Sequence, residues 1–105
     1  MSLQLEEAQN RVVVHLEDSV TLSSASELHD LFLQALNSRK PIAVDVSKVT
    51  EIDLSAIQIL FAAHAEAIRT DHGFSATNTI PEAVRQTIRE SGLDSILQPD
   101  GEVAP

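Results

Sequence analysis

The 105 residues of this chain, 43% of them hydrophobic, suffice for one hydrophobic core but not for two ordinary domains. The chain lacks cysteine, which excludes disulfides, thiolate nucleophiles and cysteine-based metal sites, and no apolar run reaches the roughly 18 residues that span a bilayer. A net charge of −9, without Trp or Tyr, opposes binding to nucleic acids and to anionic membrane surfaces and makes a partner with basic or mixed patches more plausible. We expect a cytoplasmic protein without direct membrane insertion and without a cofactor.

The N-terminal part predicts a β-hairpin followed by an amphipathic helix. Leu3 and Leu5 alternate with polar residues, and the apolar run 12–16 indicates a second strand after a polar turn. Ser24 and Glu27 form an S-x-x-E capping box ahead of apolar residues at helical spacing. We therefore expect a first helix that is capped by Ser24.

Two further strands and two further helices are predicted in alternation. Residues 42–46 are apolar and largely β-branched, as a central strand should be. Between 56 and 68 apolar residues cover most of the helix circumference, so this second helix should be largely buried. Residues 74–77 indicate a weak fourth strand, and a third helix is expected to begin at Pro81 and to end at Gly92.

This order of elements predicts an α/β fold with one domain over residues 1–98. Successive strand–helix–strand units imply parallel strands, and the hairpin adds an antiparallel strand, which makes a mixed sheet of four or five strands. Residues 93–97 are expected to add a last short helix, for about four in all. The tail 99–105 contains Pro and Gly and is expected to fray.

A short motif lies between the third strand and the second helix. The segment 44–56 reads V-D-V-S-K-V-T-E-I-D-L-S-A, in which D-x-S is followed by I-D-x-S at the helix start. This resembles the signature of the STAS (sulphate transporter and anti-sigma factor antagonist) family. The similarity extends to the first helix, to the fourth strand and to the P-x-x-V-R segment that begins at Pro81.

The resemblance implies a STAS fold and a regulatory protein that is not an enzyme. In this family the second hydroxyl residue of an Asp-Ser/Thr-Ser/Thr-Gly motif is the phosphorylation site of anti-sigma factor antagonists, and Ser55 occupies that position. Leu54 and Ala56 depart from the motif, where the family has a hydroxyl residue and Gly. The implied partner is a serine kinase or anti-sigma factor, which is released when Ser55 is phosphorylated.

We expect the partner to contact the start of the second helix and the loop before the first. The candidate contact residues are Asp53, Leu54, Ser55, Ala56, Gln58, Thr21 and Ser23. Ser55 and Gln58 also form an S-x-x-Q capping box, so Ser55 can be a helix cap, a phosphorylation site or both. Two other functions stay open: an accessory subunit that binds the ATPase of a lipid-transporting ABC complex, and a regulator in a chemotaxis or other two-component pathway.

Catalytic and metal-binding roles are not favoured. Asp45 and Asp53 could form a carboxylate pair, but no third acidic ligand or Gly-rich loop accompanies them, and a structural turn role is expected for Asp45. Ser55 lacks a nucleophile elbow and an evident base. The histidines have no metal-binding spacing and are expected to be ordinary surface or boundary residues. They are His15, His29, His64 and His72.

Overall fold

The computed structural model of the chain describes residues 3–92. In chain order the elements are β1 (Leu3–Glu7), β2 (Val12–Val20), a 3₁₀ turn (Leu22–Ser24), α1 (Ala25–Asn37), β3 (Ile42–Ile52), α2 (Leu54–Arg69), β4 (Phe74–Thr77) and α3 (Glu82–Ser91). None of the helices in this part of the chain has the length and apolar character that crossing a membrane requires.

The four strands form one mixed sheet in the order β1-β2-β3-β4. β1 and β2 are antiparallel, whereas β2, β3 and β4 run parallel, with α1 and α2 as the crossovers. The predicted α/β fold with a mixed sheet and a central third strand is therefore confirmed. Three α-helices lie in the described residues; the predicted helix at 93–97 and the tail 99–105 lie outside them.

Strands β2 and β3 extend beyond the ranges predicted for them. They end at Val20 and Ile52, which pair with each other, after two register shifts at which β3 has an extra residue, opposite His15–Glu17 and Asp18–Ser19 of β2. The extension was missed because both strands become polar after their first apolar run. It has a functional consequence, since it places the turn before α1 beside the start of α2.

One hydrophobic cluster joins a face of the sheet to all three helices. Val44 of β3 and Leu60 of α2 are fully buried in it, as expected. The prediction that α2 is largely buried is wrong, because only one side of the helix packs on the core. The buried residues of α2 are Ala56, Ile57, Leu60, Ala63 and Ala67. Its outer side leaves Leu54, Phe61 and Ile68 exposed to 53%, 43% and 62%.

The structure tests two predicted helix ends, the cap at the start of α1 and the glycine at the end of α3. Ser24 belongs to the 3₁₀ turn and makes no side-chain hydrogen bond to α1, so the predicted capping box with Glu27 is wrong. α3 ends as predicted at Gly92, which has a φ of 78° and donates its N–H to the carbonyl of Arg89. A left-handed residue at this position favours glycine, since it has no Cβ to clash.

Candidate partner-binding site at the start of helix α2

Asp53 is the residue that organises the start of α2. Its Oδ1 atom accepts the backbone N–H of Ala56 at 3.1 Å, which makes it the N-cap of the helix. Its Oδ2 atom accepts the backbone N–H of Leu22 at 3.0 Å, and its own N–H donates to the carbonyl of Val20 at 3.3 Å. Asp53 thus fixes the turn before α1 against the first turn of α2.

Ser55 is the second residue of α2 and is half-buried. Because Asp53 caps the helix, the predicted S-x-x-Q cap formed by Ser55 and Gln58 is wrong. Among residues 3–92 no hydrogen bond involves the Ser55 hydroxyl, so the side chain has no local structural partner. The first intrahelical bond runs from the N–H of Ile57 to the carbonyl of Asp53. Of the N–H groups that precede it, that of Ala56 donates to the Asp53 carboxylate, so the positive end of the helix dipole lies beside a negative charge.

Six of the seven candidate contact residues reach the surface at one end of the molecule. Leu54 and Gln58 are exposed on α2, while Asp53 and Ser55 are half-buried. Thr21 and Ser23 lie on the adjoining turn, with their hydroxyl oxygens 3.1 Å apart. Ala56 is fully buried, so its side chain is not part of that surface. Its small size allows the helix to approach the sheet closely.

Asp45 lies within β3 and not in a turn as predicted. Its carboxylate is nearly buried and accepts hydrogen bonds from the backbone N–H and the hydroxyl of Ser47, at 3.0 and 2.7 Å, and from the Asn78 amide at 3.1 Å. Burial alone would raise the pKa of Asp45, but these bonds, with a contact from His15, outweigh it and hold the pKa below its ordinary value. Asp45 and Asp53 share no partner, so the carboxylate pair considered from the sequence is absent.

His15 connects three strands, a role that the sequence did not suggest. Its Nδ1 atom lies 3.2 Å from Asp45 Oδ2 on β3, and its Nε2 atom lies 2.7 Å from Glu6 Oε1 on β1. The register of the sheet places His15 directly beside Asp45, which only a known strand alignment could have revealed. Within the described residues no group of His, Asp and Glu side chains could hold a metal ion.

An apolar groove runs between α1 and α2 and reaches the start of α2. It has a volume of about 550 Å³, and its lining includes Leu22, Phe32, Leu33, Ile59 and Ala62. Ser55 and Gln58 line the same groove at its end. The exposed Leu54, Phe61 and Ile68 of α2 are not among the residues that line the groove.

The comparison with protein families decides the family of the chain. The family described as Mlab, STAS domain matches residues 3–99. The chain belongs to the STAS domain family. The I-D-x-S segment lies within the matched residues, with Ser55 in the first turn of α2. The comparison with curated proteins found no match.

Solved STAS structures share the fold at low sequence identity. An anti-sigma factor antagonist from Mycobacterium paratuberculosis is 22% identical, with a TM-score of 0.78 over 96% of this chain and 86% of that one. The phosphorylated form of Bacillus SpoIIAA is 17% identical, with a TM-score of 0.71 over 95% and 92%. An anti-sigma-factor antagonist (STAS) domain protein from Planctomyces limnophilus is 12% identical, with a TM-score of 0.76 over 92% and 86%. At these identities the likeness shows the STAS fold.

Proposed function

We propose that this STAS protein is an anti-sigma factor antagonist-like regulator that binds another protein through the start of α2 and the adjoining turn. The observation that carries the proposal is the double acceptor role of Asp53, which joins these two segments into one fixed surface. Leu22 and Leu54 are exposed on that surface to 70% and 53%. Exposed apolar side chains beside a fixed backbone are typical of a protein-binding site.

We further infer that phosphorylation of Ser55 weakens this binding. A phosphate would add about −1.5 to −2 charge at the start of α2, where the helix dipole favours an anion and the Asp53 carboxylate opposes it. Within residues 3–92 the Ser55 hydroxyl makes no hydrogen bond that a phosphate would break, so the fold would survive the modification. A partner packed on the same helix end would have to desolvate a dianion, which opposes binding unless the partner supplies a cation. One of the structures of similar fold is of a phosphorylated protein, Bacillus SpoIIAA.

The test is co-purification of the partner from the native cell with wild type, Ser55→Ala and Ser55→Asp, quantified by mass spectrometry. Wild type and Ser55→Ala should recover the same partner, a serine kinase or anti-sigma factor, in similar amounts. Ser55→Asp should recover much less, because a charge then stands at the interface. The same spectra should show phosphate on Ser55 in the unbound fraction. Ala83→Asp on the exposed surface of α3 is the matched control and should bind like wild type.

A second candidate is a constitutive subunit, such as one that binds the ATPase of a lipid-transporting ABC complex. Leu54 favours it, since an exposed leucine stands where the motif has a hydroxyl residue and offers a permanent apolar contact. Equal binding by both Ser55 variants, with no phosphate in any growth condition, would contradict the switch. If Leu54→Gln also lost the partner, the function of a constitutive subunit would be favoured over the phosphorylation switch.

A further inference from the structure

The ring of His15 lies between two carboxylates on the face of the sheet opposite the helices. Val14 and Leu16 of β2 belong to the hydrophobic cluster that joins the sheet to the helices, so His15 between them points to the other face. Its Nε2 atom lies 2.7 Å from the Glu6 carboxylate of β1, and its Nδ1 atom lies 3.2 Å from the Asp45 carboxylate of β3. Ionised carboxylates only accept hydrogen bonds, so both contacts are hydrogen bonds only while both ring nitrogens carry a proton. The geometry therefore fits the positively charged form of His15.

The two carboxylates differ in how far they can move. The Asp45 carboxylate also accepts hydrogen bonds from Ser47 and Asn78, which fix its position. The Glu6 side chain is 61% exposed, and within residues 3–92 its carboxylate makes no hydrogen bond or ion pair except the one to His15. A neutral imidazole has a single N–H, and because Asp45 cannot withdraw from a ring nitrogen without a proton, that N–H stays on the Asp45 side. The bare Nε2 atom of neutral His15 then faces Glu6, and the contact to β1 is lost.

The contact between Glu6 and His15 helps to hold the edge strand β1 in place. This strand has five residues, and within residues 3–92 it pairs with β2 alone. Side chains anchor both of its ends, because Leu3 is buried in the core and Glu7 bonds to Lys40 at 3.0 Å. Glu6 anchors the strand between these points through His15. A short strand with one neighbour is among the first parts of a fold to open, so loss of this contact should loosen β1 before the central strands.

Other charged groups on this face lie farther from the ring of His15. On β2 itself, Arg11 and Glu17 are four and two residues away, and Glu17 pairs with Lys48 of β3 at 3.8 Å. The β1 residue opposite His15 is Gln4, and the β4 residues that alternate onto this face are uncharged. Within residues 3–92 the two carboxylates are therefore the charged groups in hydrogen-bonding contact with the ring.

We propose that His15 is a proton-controlled clasp of the sheet edge: its charged form holds β1 through Glu6, and its neutral form lets β1 open more often. Histidine loses its proton near neutral pH, so β1 should be held most firmly in mild acid and loosened as pH rises. Opening of β1 uncovers the edge of β2, whose N–H and C=O groups can then pair with another strand. The clasp involves no residue of the proposed partner-binding surface, so it does not rest on the proposed function.

Amide hydrogen exchange of the full chain, measured by NMR, tests the clasp. Protection factors, which correct for the base catalysis of exchange, should fall about two- to fivefold for the amides shared by β1 and β2 between about pH 5 and pH 8. Those shared by β2 and β3 should change less. His15→Gln has no proton to lose and should abolish this dependence on pH. Glu6→Gln should also abolish it, because an amide can accept from a ring N–H or donate to a bare nitrogen. The control His29→Gln, at an exposed position on α1, should keep it.

The side-chain signals of His15 in the same samples report its protonation directly. The midpoint of the loss of protection in β1 should coincide with the titration of His15 and not with that of another histidine. Three results would each overturn the proposal: protection of β1 that does not depend on pH, a dependence that persists in His15→Gln, or an equal loss of protection between β2 and β3. If His15→Gln does not fold, Glu6→Gln decides the question alone, since it alters an exposed side chain.

Discussion

Asp53 accepts two backbone N–H groups from two different segments, and this gives a prediction for a single residue. Asp53→Ala should lower the free energy of unfolding by about 1–2 kcal/mol, since it removes the cap of α2 and the bond from Leu22. For a domain of this size each kcal/mol corresponds to roughly 4–8 °C in Tm, measurable by circular dichroism. Asp53→Asn keeps a side-chain oxygen that can accept a hydrogen bond, so it should lower the free energy of unfolding by less. Ser55→Ala should leave Tm nearly unchanged. If Ser55→Ala lowered Tm more than Asp53→Ala, Ser55 and not Asp53 would be the cap of α2.

The lowered pKa of Asp45 predicts how stability depends on pH. Its ordinary value is 3.8, and its folded value is lower, so the ionised form is favoured by folding. The contribution is fully present above about pH 4 and is lost as pH falls through the folded pKa. Ser47→Ala removes the hydroxyl that donates to Asp45 at 2.7 Å, so it should lower stability at pH 7 by about 1 kcal/mol.

The pH comparison separates this effect from a general loss of stability. Urea unfolding of wild type and Ser47→Ala should differ most at pH 7 and should converge as Asp45 becomes protonated in both proteins. Ser19→Ala is the control, because that hydroxyl bonds to the exposed Glu51 and not to Asp45. A difference between wild type and Ser47→Ala that stayed constant down to pH 2 would show that the hydroxyl does not act through the Asp45 carboxylate.

At the scale of whole elements, hydrophobic pattern and chain order predicted the strands, the helices and their mixed pairing. The pattern could not predict where β2 and β3 end. Val49 and Ile52 of β3 are buried between exposed polar residues, and only the pairing with β2 makes that part a strand. The cap of α2 was missed for the same reason, since Asp53 and Ser55 are both suitable caps until the end of β3 is known.

The part of the candidate site that lies in one segment could be predicted from the sequence, whereas the contacts between two distant segments could not. The motif identified the start of α2, but the bond between Asp53 and Leu22 joins residues that are 31 positions apart. The groove likewise depends on how α1 and α2 pack. Apolar residues around most of α2 predict burial, although Leu54, Phe61 and Ile68 lie on a side that no element within residues 3–92 covers.

Two neighbouring residues of α2 test which side of this helix maintains the fold. Leu60 is fully buried, whereas Phe61 is 43% exposed. Leu60→Ala should therefore lower the free energy of unfolding by about 2–5 kcal/mol, as expected for a cavity in a packed core. Phe61→Ala should cost less than about 1 kcal/mol, since it opens no cavity. Chemical denaturation of both variants gives the comparison, and equal losses would mean that the outer side of α2 is packed against another part of the chain.

For the molecule as a whole, charge balance is the property with the clearest consequence. The chain has 16 acidic and 7 basic side chains. Its described ion pairs, such as Lys40–Glu7 at 3.0 Å and Arg89–Glu82 at 2.7 Å, lie at the surface, where each contributes at most about 1 kcal/mol. Acidic side chains therefore exceed basic ones by nine, and their mutual repulsion opposes the compact state.

Salt should therefore stabilise the protein. Raising NaCl from roughly 0.01 M to roughly 0.15 M shortens the Debye length from about 30 Å to about 8 Å. The radius of gyration is 12.4 Å. At the longer Debye length charges therefore repel each other across the whole molecule, whereas at the shorter one only neighbouring charges interact. Tm should rise with NaCl, because this screening removes more repulsion than attraction. The double variant Gln4→Lys and Gln34→Lys, at two exposed positions, should be more stable at low salt and gain less from NaCl. Gln4→Glu with Gln34→Glu should behave in the opposite way. A Tm that falls with NaCl in wild type would show that the surface ion pairs outweigh the net repulsion.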